Sequence, residues 1–273
     1  MQTETAEHDS RQLDPGTSSY YKALGNGRYR STVHAQGAWD PIEQHMAPVT
    51  GIMARELQLF RPDDHLRMAR FSFDILGQIA GGEFEIVTKV LRPGRTIELV
   101  QAELTANGRV AVRATAWRLH TSDTSAVAAF EDAPMPGPDD AGADDTLHQW
   151  SGGYIASLEA RVVEGHRPGD GCVWLRNNLQ MVEGEETADV VRLLGMVDTA
   201  NGIAARVTPG PGGYMFPNVD LQIHLYRKPA GDWLGLDNSV TFGADGIGLT
   251  SSVLHDIYGP FGRAEQILTI REL

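Results

Sequence analysis

Three polar residues late in the chain are of the types needed to activate water. Asp220, Thr241 and Gln266 fall on three successive strand-like segments, within Asn-Val-Asp-Leu-Gln-Ile-His-Leu, Asp-Trp-Leu-Gly-Leu-Asp-Asn-Ser-Val-Thr and Gly-Arg-Ala-Glu-Gln-Ile-Leu-Thr-Ile-Arg. Neighbouring strands can bring a carboxylate, a hydroxyl and an amide around one water. Such a set can polarise and hold a water.

Other chemistries find less support. There is no Gly-x-Ser-x-Gly elbow and no glycine-rich phosphate loop. Cys172 is the single cysteine, in a turn that runs into a strand, where it reads as structural rather than nucleophilic. No His pair has the spacing of a zinc site, so neither a metal nor a cofactor is expected. His224 and His255 alternate with apolar residues and read as structural histidines. A net charge of −13 argues against nucleic acid as a partner. One cysteine fits a reducing compartment, the polar, acidic N-terminus is unlike a signal peptide, and no apolar run nears the roughly 20 residues of a membrane span. These features predict a cytoplasmic protein without membrane insertion.

The elements that must position the trio follow a repeated order. Residues 1–18 lack periodicity and read as a disordered tail. An N-terminal unit over 19–120 begins with a hairpin at Gly25-Asn26-Gly27. A helix follows over 46–60, with Val49, Ile52, Met53, Leu57 and Phe60 at helical spacing and Pro48 in the first turn. Strands are predicted over 66–76, 83–92, 96–106 and 109–120. Residues 121–150 shift to Pro, Gly, Ala and Asp and read as an acidic linker. A C-terminal unit over 151–273 repeats the order: strands over 154–164 and 172–182, a helix over 186–197, and strands over 218–227, 233–242, 247–257 and 262–271. Asp198 and Asn201 sit where this second helix ends and read as its stop, with a part in the site as the alternative. The fold class is α+β, an antiparallel meander wrapping one helix, present twice.

The duplication leaves a trace in the residues. Arg70 and Asp220 open matching segments 150 positions apart, and Val112 and Gly262 do the same. In that register Asp220 faces Arg70, Thr241 faces Leu91 and Gln266 faces Ala116, so the polar trio belongs to the second copy alone.

Order and motifs resemble the double-hotdog acyl-CoA thioesterases of the bacterial type II family. The resemblance is carried by Leu91-Arg-Pro-Gly-Arg95, Ala114-Thr-Ala-Trp-Arg-Leu119, Asn218 to Leu225, Asp232-Trp-Leu-Gly-Leu236 and Gly262-Arg-Ala-Glu-Gln266. It implies a tandem hotdog, two antiparallel sheets each wrapping a central helix, that hydrolyses a fatty acyl-CoA to free acid and CoA. In that family an Asp, a Thr or Ser, and a Gln orient the attacking water, and motif matching puts these roles on Asp220, Thr241 and Gln266. Coenzyme A enters as part of the substrate and needs a local basic patch, for which Arg55, Arg67, Arg92, Arg95, Arg227 and Lys228 are available. The resemblance also implies a homo-oligomer, a dimer or larger. One departure stands out: a His-Gly-Gly-Pro-like turn opens the first helix of many members, and here it is His45-Met46-Ala47-Pro48. His45, Met46 and Ala47 are therefore substrate-binding candidates, and the lost glycines motivate a second reading, a non-catalytic acyl-CoA or lipid-binding hotdog. A hydroxyacyl-thioester dehydratase fits less well, since its His on the central helix is missing.

Overall fold

The computed structural model describes residues 13–63, 65–143, 146–207 and 213–272. In the first half β1 (Ser19–Gly25) and β2 (Arg28–Ser31) form the hairpin, and α1 (Met46–Leu59) precedes the meander β3 (Leu66–Ile75), β4 (Glu83–Arg92), β5 (Ile97–Ala106) and β6 (Arg109–His120). After the connector come β7 (Gly142–Ala143), a single helical turn α2 (Gly153–Ala156), β8 (Glu159–Val162), β9 (Asp170–Arg176) and β10 (Gln180–Val182). The second helix α3 (Asp189–Val197) and a turn α4 (Ala200–Ile203) lead to β11 (Tyr214–Met215), β12 (Asp220–Leu225), β13 (Trp233–Phe242), β14 (Ile247–Asp256), β15 (Gly259–Thr269) and β16 (Arg271–Glu272).

The two halves share one 14-stranded sheet of order β10-β1-β2-β4-β5-β6-β3-β12-β15-β14-β13-β9-β8-β7, joined where β3 pairs antiparallel with β12. The expected two sheets are thus continuous, each curling around its own helix. The 150-residue repeat holds in the ladders. Val90 pairs with Val100 and Val100 with Ala116 in the first half, as Val240 pairs with Thr250 and Thr250 with Gln266 in the second.

Burial of the helices explains why they form. In α1, Val49, Ile52, Met53 and Leu57 are fully buried, and in α3 so are Leu193, Leu194 and Val197. The helices cross at two glycines. A Cβ on Gly51 would sit 3.0 Å from the Gly195 Cα, so small residues set the approach of the backbones. The end of α1 is held by a buried cation. Arg118 donates to the carbonyls of Leu57 at 2.8 Å, Phe60, and Arg61 at 2.9 Å, and to Glu98 at 3.0 Å.

The expected strand over 154–164 begins instead as the turn α2. Gly152 has φ 105°, and a Cβ on Gly153 would fall 1.9 Å from the Val33 carbonyl, so two glycines let this turn dock on the first half. The predicted strand over 172–182 is two strands in different places: β9 pairs with β13, while β10 crosses to pair in parallel with β1. Of the expected tail, residues 1–12 lie outside the described residues. Residues 14–18 are tied down: Asp14 exchanges backbone hydrogen bonds with Ser31 and Val33, and the Ser18 carbonyl accepts from Gln180. The connector is also anchored, since Trp174 Nε1 donates to the Pro136 carbonyl at 2.7 Å and Asp132 pairs with Arg263.

Candidate functional site

The predicted trio does not converge. Side chains on a strand alternate between faces, so a shift of one residue separates core from solvent. Gln266 is on the inner face, 1% exposed, in a row with Val240 and Thr250. Thr241, one residue on from Val240, is on the outer face beside Leu249, and it is exposed. Asp220 also turns outward. Its Oδ1 accepts from the Ile267 N–H at 2.8 Å and its Oδ2 from Gln222 at 3.2 Å, so the carboxylate braces backbone next to Gln266 without touching it.

The carboxylate that Gln266 does reach is Asp198. It follows the last residue of α3 with helical φ and ψ, and it is buried. Its Oδ1 accepts from Gln266 Nε2 at 2.9 Å and from Asn218 Nδ2 at 2.8 Å. Asn218 is fixed in turn by donating to the Asp220 carbonyl at 3.0 Å. The set is therefore a carboxylate with two amides, where the resemblance implied a carboxylate, a hydroxyl and an amide. Burial pushes the Asp198 carboxyl up to about 6, against the two amide hydrogen bonds that favour its charged form. The C-terminal end of a helix dipole acts in the same upward direction.

The second oxygen, Oδ2, has His45 Nδ1 at 3.6 Å, beyond hydrogen-bond distance. His45 caps α1: Nδ1 accepts from the Ala47 N–H at 3.0 Å, which fixes Nδ1 as the unprotonated nitrogen. Burial depresses the imidazole to about 3, so it is neutral at physiological pH and does not pair with the carboxylate as a cation. Its ring packs 4.4 Å from that of Tyr154, whose hydroxyl bonds that of Thr199 at 2.6 Å.

Asp198, His45, Thr199 and Asn218 line one recess that encloses about 50 Å³. Ile155 and Leu147 supply apolar wall, and Trp39, Trp150 and Phe216 stand together in edge-to-face contacts, with Trp39 and Trp150 5.4 Å apart. Of the three substrate-binding candidates only His45 reaches this recess. Met46 and Ala47 are buried in the core, where a helix-opening residue packs inward once the cap has set the chain direction. The connector, read as an acidic linker, provides Leu147 and Trp150. Among the described residues none of the wall is Lys or Arg. Arg55 is committed to Glu185 and Glu56, and Arg227 to Asp256, while Arg67 and Lys228 line a separate groove beyond the far end of α1.

Of the residues read as structural, His224 is exposed on the outer face of β12, while His255 and Cys172 are held by the fold. His255 is fully buried with Nε2 3.1 Å from the Ala133 carbonyl, and Cys172 donates to Asp237 at 3.3 Å with its thiol pushed up to about 12, chiefly by burial. Among the described residues no group of three or more His, Cys, Asp or Glu could hold a metal ion. No helix among them is long and apolar enough to cross a membrane.

Asp198 had a signal in the sequence. Carboxylates favour the first turn of a helix and cations the last, so an Asp closing a helix runs against the dipole and asks for another reason to be there.

Comparison with known proteins follows the same division of the chain. The family model "Acyl-CoA thioesterase C-terminal domain" matches residues 129–270, and "Acyl-CoA thioesterase N-terminal domain" matches 35–119. A comparison with curated proteins gives no match. Among solved structures, a conserved protein with hot dog fold from Alicyclobacillus acidocaldarius is 12% identical, with a TM-score of 0.71 over 96% of this chain and 97% of that one. The acyl-CoA thioesterase II TesB2 of Mycobacterium marinum is 17% identical, with a TM-score of 0.65 over 93% of this chain and 96% of that one. A tesB protein of Mycobacterium avium subsp. paratuberculosis is also 17% identical, with a TM-score of 0.62 over 92% and 96%. At these identities the likeness is one of fold.

Proposed function

Because the chain belongs to the acyl-CoA thioesterase family, matched in both of its halves, we propose that it hydrolyses an acyl-CoA to the free acid and CoA by direct attack of a water activated by Asp198. The observation that carries this reading is the asymmetry of one carboxylate. Oδ1 is held by two amides, and Oδ2, without a donor among the described residues, belongs to a residue that lines the recess.

A water hydrogen-bonded to Oδ2 gives its proton to Asp198 as its oxygen bonds the thioester carbon. The C–S bond then breaks, and the proton passes to the leaving sulfur, whose thiol has an ordinary pKa of about 8.5. A base near 6 is largely ionised at neutral pH and still basic enough to accept that proton. Developing charge on the carbonyl oxygen is favoured near the N-terminal end of α1, where His45 meets the recess. The reaction needs no metal or cofactor beyond the CoA of the substrate. Asp220 is a positioning residue here, acting through Asn218 and the Ile267 backbone.

The test is thiol release from a panel of acyl-CoAs. Asp198→Asn keeps shape and should lower kcat by about 10²–10⁴, the range for a positioned general base. Asp220→Asn should keep most of the activity. A variant pair with the reverse pattern returns the role to Asp220, and a wild type that binds acyl-CoA without turnover makes the protein a binder.

A further inference from the structure

The inner face of the second half carries an amide at a core position. Along β13 the inward residues run Leu236, Asn238 and Val240, and Asn238 is 2% exposed. An amide buried there carries a desolvation cost unless both of its ends are paired, and this one pairs both. Its Nδ2 donates to the Ala200 carbonyl at 2.7 Å. Its Oδ1 accepts from the hydroxyl of Ser252, a buried residue that faces it directly across the ladder on β14. A carbonyl only accepts, so the Ala200 contact fixes which end of the amide points toward it.

Ala200 lies two residues beyond Asp198, where the helix ladder changes. α3 ends at Val197, and Asp198 and Thr199 continue with helical φ and ψ before α4 begins. The bonds here tighten to three-residue spacing: the Thr199 N–H donates to the Met196 carbonyl at 3.1 Å, and the Gly202 N–H to the Thr199 carbonyl at 2.9 Å. Side-chain amides tie this turn to its surroundings on two sides. Asn238 reaches Ala200 from the sheet, and Asn201 donates to the Phe216 carbonyl at 3.0 Å. Asn238 and Ser252 stand outside the recess wall, so they act on a substrate there only through the backbone that carries Asp198.

The pair shares the asymmetry of the site. At the 150-residue offset Asn238 and Ser252 answer to Thr88 and Ala102, which pair in the same register. The half without the carboxylate has no amide at this position.

We propose that Asn238, oriented by Ser252, is a positioning residue that sets the direction of the Asp198 carboxylate through the Ala200 backbone. This rests on the thioesterase reading with Asp198 as base. A misplacement of about 1 Å can cost about 10²-fold in rate, so the hold acts on kcat and leaves acyl-CoA binding alone.

The experiment measures kcat and KM for thiol release in wild type, in Asn238→Leu combined with Ser252→Ala, and in Asp198→Asn with and without that pair. Replacing both side chains by apolar groups strands neither of them, which favours a folded variant. The expected result is a kcat lower by at least about tenfold at a KM within about twofold of wild type. In Asp198→Asn the pair should cost less than about twofold more, because a hold that works through Asp198 has nothing left to position. If the pair fails to fold, Ser252→Ala, which frees the amide to rotate, decides alone, with kcat lower by at least about threefold. A smaller fall in kcat, a loss carried by KM, or a further loss beyond about twofold in the Asp198→Asn background, the mark of general damage to the fold, overturns the proposal and leaves the thioesterase reading standing. Asp198→Asn with the kcat of wild type overturns both.

Discussion

Asn218→Ala bears most directly on the proposed base. In the wild type, burial pushes Asp198 up to about 6 while the Asn218 and Gln266 amides oppose that push. Asn218 Nδ2 is 2.8 Å from Oδ1. A hydrogen bond to a charged group contributes about 1.5–3 kcal/mol, and about 1.4 kcal/mol corresponds to one pKa unit. Removing this donor should therefore raise Asp198 by roughly one to two pH units, to about 7–8. Water entering the vacated space makes that an upper bound. The assay is the pH dependence of kcat/KM for thiol release, which reports ionisations of the free enzyme. A base acts when ionised, so activity rises with pH through the Asp198 value and levels off above it. The wild-type limb belongs near pH 6 and the Asn218→Ala limb above it, while Asp220→Asn, whose backbone carbonyl still holds Asn218, leaves the limb in place. An Asn218→Ala limb that stays near 6, with activity otherwise intact, refutes the assignment of that limb to Asp198.

The same pair of groups makes a prediction about stability. Asp198 is raised in the folded state, so it contributes stability that is lost as pH rises through about 6; His45 is lowered to about 3, so its contribution is lost as pH falls below its unfolded value. Between about pH 4 and 6 the two oppose each other. In Asp198→Asn the histidine acts alone, and urea denaturation should show stability falling by about 1.4 kcal/mol per pH unit more steeply than wild type on acidification in this window. Arg118→Met should cost about 3–5 kcal/mol in the same assay, because it leaves buried Glu98 only its longer contact with Arg61 and strands the last carbonyls of α1, and adding Glu98→Met should restore part of the loss.

Much of the fold was legible because hydrophobic period and turn chemistry agree. The meander strands fall within a few residues of their expected bounds, and β13 spans Trp233–Phe242 as read. What escaped were placements set by tertiary contacts. Nothing local tells that β10 leaves its own half to pair with β1, or that Gly152 and Gly153 dock a turn against Val33. At the site, Gln266 faces the interior where Asp220 and Thr241 do not, and the reason is strand parity. An acidic residue at a strand entry and a Thr one position past an inward Val look right in type and spacing, and both emerge on the solvent face. Asp198 reads first as a helix stop, with a part in the site as the alternative, because a residue that ends a helix has a structural explanation ready even though its charge is the wrong sign for that end.

The duplicated architecture explains why there is one such site. The first-half row Val90, Val100 and Ala116 corresponds at a constant offset to Val240, Thr250 and Gln266. Apolar side chains there leave no amide to hold a carboxylate at the end of α1. At the same offset Arg118 and Glu98 answer to Leu268 and Gly248, and the Arg118–Glu98 pair fills the space below the last turn of α1. In the second half a Leu and a Gly contribute neither charge nor length. A buried cation closes one helix end and a buried carboxylate stands open at the other, so the two copies spend the same geometry on opposite tasks. Installing glutamine at Ala116 would not create a second site, because Arg118 already satisfies the carbonyls and occupies the volume that a substrate would need.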